Sequence, residues 1–519
     1  MPGITKPPTV RQVGIRLRIV RGGEAESKAW GVIILTVVIA FGFGVTIPLM
    51  SSSTSSALPI ILAFTLMVSI FAVGFRAWGS FFLVFALSLA SIDEAWLVWH
   101  VGNLRLQPYK LLTIVSLALL LFQVATKSRS LRRTPLLGPI LAYMASGVVS
   151  IIMSPVPEVS LRIWMGGELA AFIPYFLIVQ YCDTDKRIGI TLKAMVVAGT
   201  VVAAVNILIT FLYYMVPGIP LGGFLYYGDL RGRGMWPFAE ATLLGNFLAM
   251  MCVLLVGTVR SLPSYVNSKY WSIAWVIVFL ALILNQTRAA WIGVAFGLGA
   301  YLILSPYRKS FLRRFTQILL VTITCIVLVA AGNIIFSSIG AFDSIASSLV
   351  SRLHFDADYQ YNPDDSAASH LFNSIAILRE VLTRPLAEQV FGQGIGSRNV
   401  VYADRSYRIG DVISDQGKRG GSASSLPLMI VYERGLVGLV ILLWFLFDIV
   451  KLVRTSIIIS RTGSWGYTCL SAIPIALLGV LVTDTVFGNI PWLVPKWIVL
   501  GLLGASALQA RAKAARKSV

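Results

Sequence analysis

The 519 residues are 57% hydrophobic and only 13% charged, against roughly 45–50% apolar and about 25% charged in an ordinary globular chain, which excludes a soluble enzyme of the usual kind. The 43 Lys and Arg outnumber the 23 Asp and Glu, for a formal net charge of +20. In a soluble protein that excess would point to nucleic acid, but in a chain this apolar it raises the question of where the positive charge sits.

Taken in chain order, a basic, polar tail (residues 1–29) precedes a first apolar run, Trp30 to Met50, whose flanks and length do not resemble a cleavable signal peptide. A bilayer needs about 20 mostly apolar residues per helix. Further candidate spans are Leu58 to Phe75, Trp78 to Ile92, Leu111 to Ala125, Leu136 to Met153, Leu161 to Tyr181, Ile190 to Val216, Ala239 to Val259, Trp271 to Leu284 and Ala289 to Leu304. They continue with Ile318 to Ile335, Leu426 to Val450, Ser471 to Val482 and Val494 to Leu508. The expected fold is an all-α polytopic membrane protein of about 12–14 transmembrane helices, with both termini on one side. Cys182, Cys252, Cys325 and Cys469 lie in or beside apolar runs at no metal-ligand spacing, and read as small core residues.

Lys and Arg in short loops favour the cytoplasm. Alternating the spans puts the tail, Arg76, Lys127 to Arg133, Lys186, Arg187 and Lys193 on that side. Arg260, Lys269, Arg308 to Arg314, Lys451 to Arg461 and the basic C-terminal tail (509–519) join them. Only four carboxylates fall there: Glu24, Glu26, Asp183 and Asp185. The chain therefore divides into tail 1–29, transmembrane helices 30–335, a large outer loop 336–425, transmembrane helices 426–508 and tail 509–519. A loop of that length is usually functional or a small folded unit. Ser366 to Leu382 within it has the apolar spacing of an amphipathic helix lying near the membrane surface. That helix ends at Arg384-Pro385, before the turn-rich Phe391-Gly392-Gln393-Gly394-Ile395-Gly396.

Three outward-facing spots concentrate polar chemistry. In YYGDLRGRGMWPFAEAT (226–242), Arg231 and Arg233 sit among glycines that let backbone approach a ligand, and Glu240 leads into the next helix. In Asn285-Gln286-Thr287-Arg288-Ala289-Ala290-Trp291, an arginine occupies a tight turn between two apolar helices, where ionisable residues are costly and suggest function. The plain reading of all three arginines is snorkelling to the interface. The functional one is a shared anionic ligand, since guanidinium groups form paired hydrogen bonds to phosphate oxygens. The third spot is the long loop, which holds His354, His370 and the aspartates Asp356, Asp358, Asp364 and Asp365. It leads into Ser422-Ala423-Ser424-Ser425 and an exit helix carrying Tyr432-Glu433-Arg434-Gly435. A histidine there is either a general base or simply solvated, and the aspartates match no calcium-loop spacing. No metal and no cofactor is expected.

These residues resemble a family. QTRAAWIG, the upstream RGRGMWPFAEAT, the loop's RPLAEQVFGQGIG and the exit segment SLPLMIVYERGLVGLVILL, in that order across roughly residues 110 to 480, are similar to the O-antigen ligase and polysaccharide polymerase superfamily of bacterial envelopes. The resemblance implies a metal-independent glycosyltransferase of the inner membrane, both termini cytoplasmic. Its donor would be an undecaprenyl-diphosphate-linked oligosaccharide. It implies Arg231 and Arg288, with Arg233 as a neighbour, as diphosphate ligands. Chain-length regulator and export proteins are the implied partners, and nucleic acid is not.

In the ligase branch a catalytic His stands nine residues before the acidic position that is Glu433 in this chain, and this sequence has Ser424 there. The expectation is therefore a polymerase of lipid-linked repeat units into exopolysaccharide, capsule or O-antigen, with Glu240 and His370 as candidate bases and Glu433 as a candidate partner of Arg434 or Arg288. The alternatives are a ligase that transfers finished glycan to a lipid or protein, and a lipid-linked glycan flippase. A flippase should show two similar halves, which this sequence lacks.

Overall fold

The computed structural model describes residues 99–101, 104–106, 108–125, 127, 129–215, 225–226, 233–234, 241–261, 268–304, 316, 375, 377–397, 426–460 and 494–517. The chain divides into a unit Met1–Arg76 and a unit Ala77–Val519, and every described residue lies in the second. The spans expected at 30–50, 58–75, 78–92, 318–335 and 471–482, and most of the loop 336–425, lie outside the described residues.

The remaining expected spans are helices. They are α1 (Pro108–Ala125), α2 (Leu137–Ile152), α3 (Pro157–Ile163) running through a π-helical turn (Trp164–Leu169) into α4 (Ala170–Tyr181), and α5 (Asp185–Met215). After them come α6 (Ala241–Ser261), α7 (Ser268–Asn285), α8 (Arg288–Leu304), the short α9 (Leu386–Phe391), α10 (Leu426–Ser460) and α11 (Val494–Lys517). Two antiparallel pairs interrupt this helical plan, β1 (Trp99–Val101) with β2 (Leu104–Leu106) and β3 (Leu225–Tyr226) with β4 (Arg233–Gly234). Pro157–Tyr181, Arg187–Tyr213 and Pro427–Thr455 are each long and apolar enough to cross a bilayer. The protein is an all-α, multi-pass membrane protein.

Helix α6 is the centre of one packing group. From Leu244 through Leu255 its apolar side chains are almost wholly buried on every face, the pattern of a helix surrounded by others. Its neighbours are α5, α7 and α8. A second group forms where α11 lies along α4. Gly501 and Gly504 leave room for Ile178 and Val179, as small residues do between membrane helices. Trp497 closes the contact against Phe172, Tyr175 and Phe445.

The last turn of α4 shows what part of the positive charge does. Its carbonyls have no helical partner. Arg129 donates to Gln180 O (2.5 Å), Arg132 to Val179 O and Cys182 O (3.5 and 3.4 Å), and Arg187 to Tyr181 O (3.3 Å). Asp183 holds Arg129 and Arg187 in place at 3.2 and 2.6 Å. Cations at a helix C-terminus also complement its dipole. The opposite end of the bundle, where α2, α5 and α7 finish and α3, α6, α8 and α10 begin, carries the candidate site.

Candidate functional site at the broken exit helix

Helix α10 is not continuous. Gly435 takes φ 64°, ψ −162°, a left-handed φ that costs glycine little and other residues much. The break stops the helical ladder, so the carbonyls just before it need other donors. Tyr432 O accepts from Gln393 N (3.2 Å) and Arg384 Nη1 (3.3 Å). Glu433 O accepts from Gly394 N (3.0 Å) and the Ser150 hydroxyl (2.5 Å). The Glu433 carboxylate, itself buried, accepts from Gly396 N at 2.7 Å.

The backbone donors come from a strap formed by α9 and the glycine run after it, within the long loop. Gly392, Gly394 and Gly396 all have positive φ, which turns successive N–H groups toward α10. Close approach adds to this at Gly394, where a Cβ would strike Ser154. The Ser160 hydroxyl donates to Ile395 O (2.7 Å), and Ser154 Oγ lies 2.8 Å from Ser160 Oγ. Upstream, Arg384 lies over the Tyr432 ring at 3.8 Å and pairs with Glu380 at 2.6 Å, and the Tyr432 hydroxyl donates to the same carboxylate at 3.0 Å. Ile377 and Val381 complete the contact by packing on Tyr432. The loop helix, described at 375 and 377–383, thus seats its inner face on α10 while Ile375, Leu378 and Leu382 stay exposed.

Behind the break lies a charge pair. Arg434 and Glu168 are both almost fully buried and form an ion pair through Arg434 Nη2. Arg434 Nη1 donates to Tyr143 O and to Ser146 Oγ (3.0 Å), and the guanidinium lies 3.7 Å over the Tyr143 ring. Glu168 sits in the π turn just before α4, whose Pro174 has no N–H for the helical ladder. Such turns recur at functional sites. Removing one partner of a buried pair costs about 3–5 kcal/mol, because it strands the other charge.

The turn before Arg288 is fastened in a different way. Asn285 Nδ2 donates to Ala241 O (2.9 Å), and the Thr287 hydroxyl donates to Asn285 Oδ1 (2.5 Å), with Gln286 between them at φ 58°. Gly245 leaves the space this knot occupies. Arg288 opens α8 and is partly exposed. The next residue, Ala289, clusters with Ile430 and Leu442 of α10, so the Arg288 turn touches both the start of α6 and the exit helix.

Of the residues singled out in the sequence, Arg231, Glu240, His370 and Ser424 lie outside the described residues. Arg233 is described in its backbone only, in β4 opposite Tyr226 and against α5, α6 and α7. Glu433 faces the Gly396 amide, and the ion pair of Arg434 is with Glu168. Glu168 itself was missed, although it is a carboxylate inside an otherwise apolar span and the cost of burying one was the available signal. So was the stripe Tyr143, Ser146, Gly147 and Ser150 on α2, whose three- and four-residue spacing marks one helix face and points to Ser154 just past its end.

The described helices thus form an apolar bundle with a polar, buried junction at one end. Residues 273–443, about a third of the chain, match the family model described as O-antigen ligase. This supports membership of the O-antigen ligase and polymerase superfamily, and with it glycan processing in a membrane. No curated protein matches the chain.

Proposed function

We propose that the protein polymerises polyprenyl-diphosphate-linked oligosaccharide repeat units into a bacterial surface polysaccharide. On this reading it works at the outer face of the inner membrane, with both termini in the cytoplasm. The observation that carries the reading is the placing of Arg288 at a turn bonded to the start of α6 and packed on the exit helix. A guanidinium carried on a turn fixed at such a junction suits a diphosphate that gains charge as the glycosidic bond breaks. Arg231 and Arg233 would complete the diphosphate site from the β3–β4 segment, whose second strand packs against α5, α6 and α7. The acceptor hydroxyl needs a proton acceptor, for which Glu240 and His370 are the candidates. Glu433 and Glu168 are unsuited to that role, being committed to Gly396 N and Arg434.

A second reading, transfer of finished glycan to a lipid or protein acceptor, is favoured by the family description itself. Ser424 stands against it, because a serine hydroxyl does not take up a proton near neutral pH. Purified protein supplied with lipid-linked oligosaccharide alone should yield a ladder of longer products. Product formed only on an added acceptor would favour the ligase, and movement of donor between vesicle leaflets without turnover would favour a flippase. Arg288→Ala should abolish extension at unchanged expression; an intact ladder would remove Arg288 from the site.

A further inference from the structure

We propose that Glu168 is a positioning residue for glycan transfer, acting through Arg434 and not on the substrate. The inference rests on the transfer reaction proposed above and extends it to a residue outside the family-matched segment 273–443. Arg434 spends one terminal nitrogen on Glu168 and the other on Tyr143 O and Ser146 Oγ, with its plane on the Tyr143 ring. Every one of these partners belongs to α2 or to the π turn. The guanidinium fork therefore fixes the backbone at 434 in direction as well as position.

The residues on either side of the break depend on that fixed backbone. Glu433, the preceding residue, holds the strap through its carbonyl to Gly394 N and its carboxylate to Gly396 N. Ile430, one turn earlier, packs on Ala289 beside Arg288. A shift of the break would therefore move the strap relative to the Arg288 turn. Holding the fold together does not require charge, because well-packed apolar residues of similar volume often replace a buried pair without loss of stability. An apolar pair lacks the fork's directionality, and this separates positioning from mere support.

The test compares wild type, Glu168→Leu/Arg434→Met and Arg434→Lys. All are built with Ser397→Cys in a background whose four native cysteines are replaced by alanine, because Ser397 is fully buried at the end of the strap. The double variant should melt as wild type does, lose about tenfold or more in turnover at saturating lipid-linked donor with KM unchanged, and label faster with maleimide at position 397. Wild-type turnover and wild-type protection in a folded double variant would overturn the proposal. If the double variant does not accumulate, Arg434→Lys, which keeps the charge and loses the fork, decides by the same readouts. Failure of both to fold would make the pair a stability element and overturn positioning. If wild type itself makes no product, the functional reading fails, and the labelling comparison alone decides whether the pair sets the strap.

Discussion

A methyl group added at Gly394 would meet the Ser154 side chain on a backbone at φ 99°, so Gly394→Ala should cost about 1–3 kcal/mol. Gly299, inside α8, has nothing within 4 Å of the same added atom, and Gly299→Ala should be neutral or stabilising by up to about 1 kcal/mol. Thermal melting in detergent compares the two, and equal destabilisation would contradict the close packing of the strap. Asn285→Ala removes the shorter of the two contacts, 2.9 Å against 3.4 Å for the Thr287 hydroxyl, that tie the Arg288 turn to Ala241 O. A cost of about 1–3 kcal/mol is expected, together with a fall in turnover larger than the change in donor KM. Burial pushes the Cys182 thiol up to about 11, with the Thr191 hydroxyl 3.3 Å away opposing the shift. The folded state thus holds this proton more tightly than the unfolded chain. Its contribution to stability is present below about pH 9 and is lost as pH rises through 9 to about 11. Maleimide should accordingly spare Cys182 at pH 8; labelling there at the rate of a free thiol would show the site to be open. Arg288 stood out in the sequence as a charge in a tight turn between two apolar helices, where an ionisable residue is costly, and it opens α8. Glu168 carried a signal as a carboxylate inside an apolar span, but its pairing did not, because Arg434 lies 266 residues away and periodicity reports only local neighbours.

At the level of elements, the exit helix turns local discontinuity into tertiary contact. Alanine at 435 would favour a straight helix and would also run into the Val390 backbone. In Gly435→Ala the carbonyls of Tyr432 and Glu433 should return to the helical ladder and release the strap. Hydrogen exchange of the amides in 386–397 should then rise well above wild type; unchanged protection would mean that the break is not what holds the strap. The helices themselves were legible from apolar runs, and α2, α6, α7 and α8 begin and end close to where composition places them. The break was not legible, since 426–450 is apolar on both sides of it and glycine is common in membrane helices. Nor was the seating of the loop helix. Its sequence fits an interfacial helix with one apolar face, whereas Ile377 and Val381 turn inward on Tyr432 and Ile375, Leu378 and Leu382 turn out. The apolar arc is wide, with Arg379 and Thr383 on the remaining exposed side, and periodicity alone does not say which edge of that arc meets α10.

For the molecule as a whole, the +20 charge is divided by location. At one end of the bundle, arginines close the carbonyl terminus of α4; at the other, Arg384 and Arg434 are buried against the exit helix. The two kinds should respond differently to neutralisation. Arg187→Gln, partly exposed, should change stability by no more than about 1 kcal/mol, while Arg434→Gln should cost about 3–5 kcal/mol. Equal melting of the two variants would contradict a closed, dry junction. The junction also has a history in time. Glu168 and Arg434 are 266 residues apart, and at synthesis rates of about 5–20 residues per second the carboxyl precedes its guanidinium by tens of seconds. Through that interval Glu168 lacks its guanidinium partner, so closure of the junction waits on synthesis of the exit helix and not on insertion of the first helices. Ribosome-stalled chains ending before residue 434 should be cleared by membrane proteases faster than chains ending after 460; equal lifetimes would show that the acid finds another partner while it waits.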